Sequence, residues 1–187
     1  MKKIILASAS PRRQQFFNEL HLNYEIVIKP VDEIYPQNLV REQITNFLAE
    51  LKATPFKDTL NDDEIVITSD TIVCIENQAL GKPKNYEEGF AMLQSLSGRQ
   101  HEVITSVCFT TTKTQKTVHC ITKVTFKTLS KEEIDFYLTN YKPYDKAGAY
   151  GIQEWIGYIG VENIEGSYNN VIGLPTHLVY KTLQELL

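Results

Sequence analysis

The stretch EIVITSDTIVCI, residues 64–75, decides how this sequence folds. Most of its residues are β-branched or otherwise apolar, which predicts one long strand of a buried sheet. A polar group at residues 68–71 interrupts the strand, and Asp70 is its charged member. A carboxylate inside an apolar strand must be solvated, ion-paired or bound to a metal to offset its desolvation. Asp70 is therefore a candidate site residue, and a turn or capping aspartate is the ordinary alternative.

The segments on both sides of this strand alternate between strand and helix patterns. Further strands are predicted at residues 4–7, 24–28, 101–110 and 117–128, the last two joined as a hairpin. Helices are predicted at residues 11–20 behind a Ser10 cap, at 37–53, at 86–96, at 131–140 behind a Ser130 and Glu133 capping box, and from 175 to 187. This alternation favours an α/β fold with a central sheet. No repeat or shift in composition marks a boundary, so we expect a single domain over residues 1–187.

Composition excludes several classes of protein. A chain of 187 residues with 42% hydrophobic and 22% charged side chains is expected to fold around a sizeable core. Its apolar runs fall far short of the roughly 20 residues that span a bilayer. The apolar run after Met1-Lys2-Lys3 is too short for a secretory signal, so we expect a cytoplasmic protein. The net charge of -4 argues against stable nucleic acid binding, but it is compatible with a small anion held locally.

The first candidate anion site is the sequence SASPRR at residues 8–13. It forms a loop that enters a predicted helix, where free backbone N–H groups and the helix dipole attract phosphate. Arg12 and Arg13 add planar donors that suit phosphate oxygens. The alternative is a capped helix with solvated arginines. The segment is not a Walker loop, because the chain contains no Gly-Lys-Ser or Gly-Lys-Thr.

Three other charged residues become interesting in combination. Glu33 lies in an acidic loop, and two carboxylates, Glu33 and Asp70, could share a magnesium or manganese ion that bridges phosphate oxygens. Taken alone, Glu33 is an ordinary solvated loop residue. Lys52 at a predicted helix end either complements the dipole or binds phosphate. Lys82 in Gly81-Lys82-Pro83 is presented by a rigid turn that suits the same purpose.

Residues 143–153, PYDKAGAYGIQ, combine charged, small and aromatic side chains with no regular period. Such a loop is typically functional: glycines admit a ligand close to the backbone, tyrosines can cover a base, and the Gln153 amide offers a donor and an acceptor. The alternative is a tight structural crossover with Tyr150 in the core. For His101, at a strand start, a structural hydrogen bond is favoured over catalysis.

These motifs together resemble the Maf family of nucleoside triphosphate pyrophosphatases, relatives of the inosine triphosphate pyrophosphatase fold. The resemblance runs through LASASPRR at residues 6–13, SDTIV at 69–73, GKP at 81–83, LSGR at 96–99 with His101, DKAGAYGIQ at 145–153 and VIGLP at 171–175. It implies a mixed central sheet flanked by helices. It also implies a homodimer.

The resemblance implies hydrolysis of a nucleoside triphosphate between the α and β phosphates, with magnesium, manganese or cobalt as the cofactor. Asp70 would be the proton acceptor and would hold the metal with Glu33. Lys52 and Lys82 would share in catalysis by stabilising charge on the departing pyrophosphate. The residues expected to bind substrate are Ser8, Arg12, Arg13, Thr71, Lys146 and Gln153.

Arg13, Thr71 and Gln153 match the branch of the family that acts on dTTP and UTP. One glutamine amide can satisfy the carbonyl acceptor and the N–H donor of a uracil or thymine edge. We expect CTP as a lesser substrate, and modified uridine triphosphates as further ones. The role implied is the housecleaning of nucleotide pools, with a link to cell division arrest. The alternatives are a nucleotide-binding regulator of septum formation with weak hydrolysis, and the sister branch that acts on 7-methyl-GTP.

Overall fold

The computed structural model describes residues 2–187. Its strands are β1 (Lys3–Leu6), β2 (Tyr24–Ile26), β3 (Glu64–Ile75), β4 (Gln78–Leu80), β5 (Gln100–Thr110), β6 (Gln115–Phe126) and β7 (Val161–Glu165). Its α-helices are α1 (Pro11–Glu19), α2 (Glu42–Ala53), α3 (Tyr86–Leu96), α4 (Lys131–Tyr141), α5 (Trp155–Gly160), α6 (Tyr168–Ile172) and α7 (Thr176–Leu186). None of the helices within residues 2–187 has the length and apolar character needed to cross a membrane.

The strands of residues 2–187 form one sheet in the order β2-β1-β3-β5-β6-β7, and β4 pairs with β3. Strand β1 runs parallel to both β2 and β3. The β3–β4 and β6–β7 pairs are antiparallel, so the sheet is mixed. This arrangement confirms the predicted α/β class with a mixed central sheet. Strand β3 has the bounds that its β-branched pattern predicted.

Several elements differ from the prediction for local reasons. Helix α2 begins at Glu42 rather than at residue 37, because Arg41 has a φ of 52° and so cannot belong to a right-handed helix. Strand β2 ends at Ile26 rather than at residue 28. The segment after residue 153 contains α5, β7 and α6, which the sequence did not predict. Helices α5 and α6 have only 6 and 5 residues, too few to show a helical period.

The backbone packs as two compact units. Among the described residues, the first unit comprises those up to Asp70 together with 105–120 and 173–187, and the second comprises 71–104 and 121–172. Each has its own hydrophobic cluster, around Phe17 and Phe109 in the first and around Tyr137 and Phe126 in the second. The single domain over residues 1–187 stays a prediction, and Met1 lies outside the described residues.

Candidate active site

Asp70 lies on β3 in the first unit and is 7% exposed. Its Oδ1 accepts a hydrogen bond from Lys52 Nζ at 2.7 Å. The same ammonium lies 3.2 Å from Glu33 Oε1. The carboxylate that interrupts the apolar strand is therefore ion-paired. We call Glu33, Lys52 and Asp70 the Lys52 triad.

Helix α2 and strand β3 position two members of the triad. Lys52 lies in the last turn of α2, where a cation is favoured by the helix dipole. Thr68 on β3 donates its hydroxyl to the carbonyl of Ala49 on α2 at 2.6 Å, within the buried interior. This bond joins the strand to the helix close to the triad. Ala49 is one turn before Lys52 on α2, and Thr68 is two positions before Asp70 on β3. Helix and strand thus hold Lys52 and Asp70 in a defined arrangement.

Glu33 reaches the triad from a different kind of support. It lies in the irregular segment of residues 27–41, and its side chain is 53% exposed. Lys29 holds the start of this segment, since its ammonium donates to the Pro55 carbonyl at 2.9 Å and to Thr59 Oγ1 at 2.8 Å. Both acceptors lie in the segment that follows the end of α2, so the loop that carries Glu33 is tied to the chain next to Lys52.

The two carboxylates of the triad fit a divalent cation that is completed by other ligands. The Lys52 ammonium contacts one oxygen of Asp70 and one oxygen of Glu33. The two carboxylates can therefore bind the same positive charge. Within residues 2–187 no cluster of three or more His, Cys, Asp or Glu side chains could hold a metal by itself. Magnesium usually binds one or two carboxylates and keeps waters and substrate phosphate oxygens as its remaining ligands.

The start of α1 is built differently from the expected cap. Ser10 occupies the N-cap position, but its side chain makes no capping hydrogen bond, and its backbone N–H donates to Ser8 Oγ at 3.3 Å. Arg13 donates from Nε to the carbonyl of Gly173 and from Nη1 to that of Ser69, both at 3.0 Å. Ser69 directly precedes Asp70, so this arginine braces the backbone beside the triad.

Charge and burial act in opposite directions on Arg13. Burial lowers the pKa of its guanidinium, and the carboxylate of Asp70 raises it. An arginine titrates so far above neutrality that it stays charged. Arg13 is therefore a half-buried cation beside the triad. The alternative of a solvated arginine is wrong for this residue, because its guanidinium donates to two backbone carbonyls.

The second unit contains the other predicted site residues, Thr71, Lys82, Lys146 and Gln153. Lys82 is exposed in the loop that follows β4. Lys146 Nζ lies 2.8 Å from Asp145 Oδ1 and 3.0 Å from Glu154 Oε1. Gln153 lies in a tight turn of residues 151–154, which the Glu154 N–H closes on the Gly151 carbonyl at 3.0 Å. We call this segment the Gln153 turn.

His101 has the structural role that the sequence favoured. It is 2% exposed, and its Nε2 lies 2.7 Å from the hydroxyl of Tyr150. Both rings pack edge-on against Phe126. Burial lowers the pKa of His101 to about 4, so the ring is neutral at physiological pH. Tyr150 is a core residue, as the alternative for this segment predicted.

Comparison with known proteins establishes the family. Residues 3–186 match the family described as Maf-like protein. This chain belongs to the Maf family. It is 61% identical to a dTTP/UTP pyrophosphatase of Flavobacterium johnsoniae over 98% of this chain and 95% of the relative, and 56% identical to one of Christiangramia forsetii over 99% and 94%. The Maf resemblance stated from the motifs is thereby confirmed.

A solved structure shows the same fold at low sequence identity. The Ham1 protein of Staphylococcus aureus matches this Maf-family chain with a TM-score of 0.51 and 16% identity, over 97% of this chain and 100% of that one. The likeness confirms the fold class that the sequence predicted.

The sequence of this Maf-family chain did not reveal the roles of two polar residues, Tyr137 and Glu154. Tyr137 on α4 accepts a hydrogen bond from the Gly151 N–H at 3.0 Å and donates its hydroxyl to Glu154 Oε2. Both partners flank Gln153 in the chain. The pattern around Tyr137 indicates only a buried helix face, since nothing near it in the sequence reveals where its hydroxyl points.

Proposed function

We propose that this chain is a nucleoside triphosphate pyrophosphatase that converts dTTP and UTP to the monophosphate and pyrophosphate. The observation that carries the proposal is the Lys52 triad, in which one ammonium contacts an almost buried aspartate and a more exposed glutamate. Family membership and the names of the close relatives support the same activity. A metal-assisted phosphoanhydride hydrolase needs this combination of a base, carboxylate ligands and a nearby cation.

Asp70 is the proton acceptor in the proposed reaction. Lys52 holds Oδ1 of this carboxylate, which fixes its orientation on the strand. A water oxygen then bonds to phosphorus, the bridging bond between the α and β phosphates breaks, pyrophosphate leaves, and the water proton passes to Asp70. Arg13 keeps the strand backbone in place through its bond to the Ser69 carbonyl. The triad thus orients the base before substrate arrives.

Asp70 and Glu33 hold the divalent cation in this proposal, and Mg, Mn or Co would each suit two carboxylates and phosphate oxygens. When bound, the cation polarises a phosphoryl oxygen and neutralises charge that develops on the phosphates. Lys52 and Lys82 stabilise the departing pyrophosphate. The remaining phosphate contacts come from Ser8, Arg12, Arg13 and Lys146.

Gln153 reads the base in the proposed complex. Its amide can donate to a carbonyl and accept from the adjacent N–H of uracil or thymine, and Thr71 adds a second polar contact. Cytosine presents the donor and the acceptor in the reverse order. CTP therefore requires the amide to be turned over, which makes it the poorer substrate. A substituent at position 5 leaves this edge free, which brings modified uridine triphosphates into the range of substrates.

Pyrophosphate release from a panel of triphosphates tests the proposal. Wild type should turn over dTTP and UTP selectively with magnesium, manganese or cobalt, and Asp70→Asn should lose at least about 10³-fold in kcat. Asp58→Asn, an exposed aspartate of the same unit, is the matched control. Turnover of 7-methyl-GTP instead would place the chain in the sister branch. The absence of any turnover would favour the septum regulator.

The setting proposed for this activity is the cytoplasm, where it would clean nucleotide pools, with a homodimer as the working form. The net charge of -4 supports a partner that is a small nucleotide rather than a nucleic acid. Light scattering on the protein as it elutes from a size-exclusion column measures the oligomeric state. A mass of one chain at micromolar concentration would remove the homodimer from the proposal.

A further inference from the structure

One phenol contacts both ends of the Gln153 turn. Tyr137 accepts from the N–H of Gly151, which opens the turn, and donates to the carboxylate of Glu154, which closes it. The other oxygen of that carboxylate lies 3.0 Å from Lys146 Nζ. A hydroxyl bonded to both ends restrains the residues between them, and Gln153 is one of these.

Backbone packing at two glycines restrains the same turn as well. A Cβ on Gly157 would lie 1.8 Å from the carbonyl oxygen of Ile152, so only glycine allows this approach. A Cβ on Gly151 would lie 3.0 Å from Glu154 Cδ and from Lys146 Cε. The two glycines therefore let the turn close tightly and let the Lys146–Glu154 pair form over it.

Tyr137 is suited to this role because it is rigid and stays protonated. Its side chain is 0% exposed on α4, and its ring stacks on that of Tyr141 at 5.1 Å between centroids. Burial and the hydrogen bond to Glu154 raise the pKa of Tyr137 above its ordinary value. The hydroxyl therefore stays protonated and donates to the carboxylate, and a lone pair of its oxygen accepts from the backbone N–H.

We infer that Tyr137 and Glu154 are positioning residues that fix the Gln153 amide and thereby set the selectivity among pyrimidine triphosphates. The inference rests on the proposed function, in which Gln153 reads the base. A donor and an acceptor on one amide discriminate only when both lie at hydrogen-bond distance from the base edge. A loosened turn costs the well-matched substrate its bonds, while a poorly matched substrate has fewer to lose.

The test compares Tyr137→Phe with wild type, using kcat/KM for UTP and for CTP. The ratio of the two values should fall about tenfold, through a higher KM for UTP with kcat nearly unchanged, because the lost interaction is binding that is uniform along the reaction. Tyr141→Phe removes the neighbouring, partly exposed hydroxyl and should leave the ratio at the wild-type value. A Tyr137→Phe protein that loses activity equally on both substrates overturns the inference.

Two further variants separate positioning from a general loss of structure. Glu154→Gln keeps an oxygen that accepts from Tyr137 and should retain more selectivity than Glu154→Ala. Gln153→Ala should abolish the selectivity, and adding Tyr137→Phe to it should lower the ratio no further, since both changes act through one amide. Independent, additive effects of the two changes contradict the inference. If wild type hydrolyses no triphosphate, the proposed function fails first and the inference falls with it.

Discussion

The Lys52 triad of the first unit and the Gln153 turn of the second differ in what mainly holds them. The triad joins charged side chains from a helix, a strand and an irregular loop, and one member is more than half exposed. The turn is held by a buried phenol and by glycines that admit a close backbone approach. Charged groups can attract one another across loosely fixed supports, whereas the turn depends on the shape of its surroundings. The triad should therefore respond to changes of charge, and the turn to changes of packing.

Removal of the Lys52 ammonium tests the Lys52 triad most directly, because this group contacts both of its carboxylates. Lys52→Gln should lower kcat by a factor of about 10² to 10³, because Asp70 loses its orienting partner and the departing pyrophosphate loses a cation. Pyrophosphate release under saturating UTP measures the effect. Lys57→Gln, five positions along the chain and exposed, should have wild-type activity. Equal losses in both variants would show that the triad works through bulk charge rather than through its contacts.

The same contrast explains what could be predicted from the sequence. Asp70 was identified because a carboxylate in an apolar strand is unusual in itself. Glu33 and Lys52 gained weight only in combination with Asp70 and through the resemblance to the Maf family. The structure brings these three together, as their proposed shared role requires. Strand β3 and helix α3 have the predicted bounds, because each carries a regular pattern ended by turn residues.

The parts that could not be predicted depend on contacts between distant residues. Tyr137 bonds a backbone N–H fourteen positions away, and nothing in the sequence marks that partner. Arg13 was identified as a ligand for phosphate, and nothing in the sequence indicates that its guanidinium also donates to the distant backbone carbonyls of Gly173 and Ser69. In each case the residue type allowed several partners, and tertiary packing selected one.

Acid should weaken the neutral core of the second unit through His101. Burial lowers the pKa of His101 to about 4, whereas an unfolded histidine titrates near its ordinary value of about 6.5. Between these values the unfolded chain binds a proton that the folded chain rejects, so the free energy of unfolding falls as pH is lowered through this window. The loss attributable to this group reaches about 3 kcal/mol.

Urea unfolding at half-unit steps from pH 7 to pH 4 measures this dependence. Subtracting the His101→Gln curve from that of wild type isolates the histidine from carboxylates that titrate in the same range. His21→Gln, at an exposed position, should keep the wild-type slope. Parallel curves for wild type and His101→Gln would mean that the folded core accepts the proton without strain.

A single added methyl group should destabilise the protein at the Gln153 turn. Gly157→Ala places a Cβ 1.8 Å from the Ile152 carbonyl oxygen, so the backbone of the Gln153 turn must move, and we expect a loss of about 2 kcal/mol in unfolding free energy. Gly81→Ala is the matched control, since its Cβ meets nothing within 4 Å. Thermal unfolding of both variants compares them directly. A Gly157→Ala protein as stable as wild type would show that the turn is more compliant than its packing indicates.

The smallest effect is expected at Glu33, the exposed member of the triad, which lies in an irregular loop rather than on a helix or strand. Glu33→Gln should raise the manganese concentration for half-maximal activity about tenfold, with the rate at saturating metal close to that of wild type. The reason is that Asp70 keeps its place on β3, so the weakened cation site can still be filled. Asp32→Asn, the exposed neighbour in the same loop, should leave the metal dependence unchanged. If instead Asp32→Asn shifts the manganese dependence and Glu33→Gln does not, the second carboxylate of the cation site is Asp32, and the contact between Glu33 and Lys52 serves only to hold the loop.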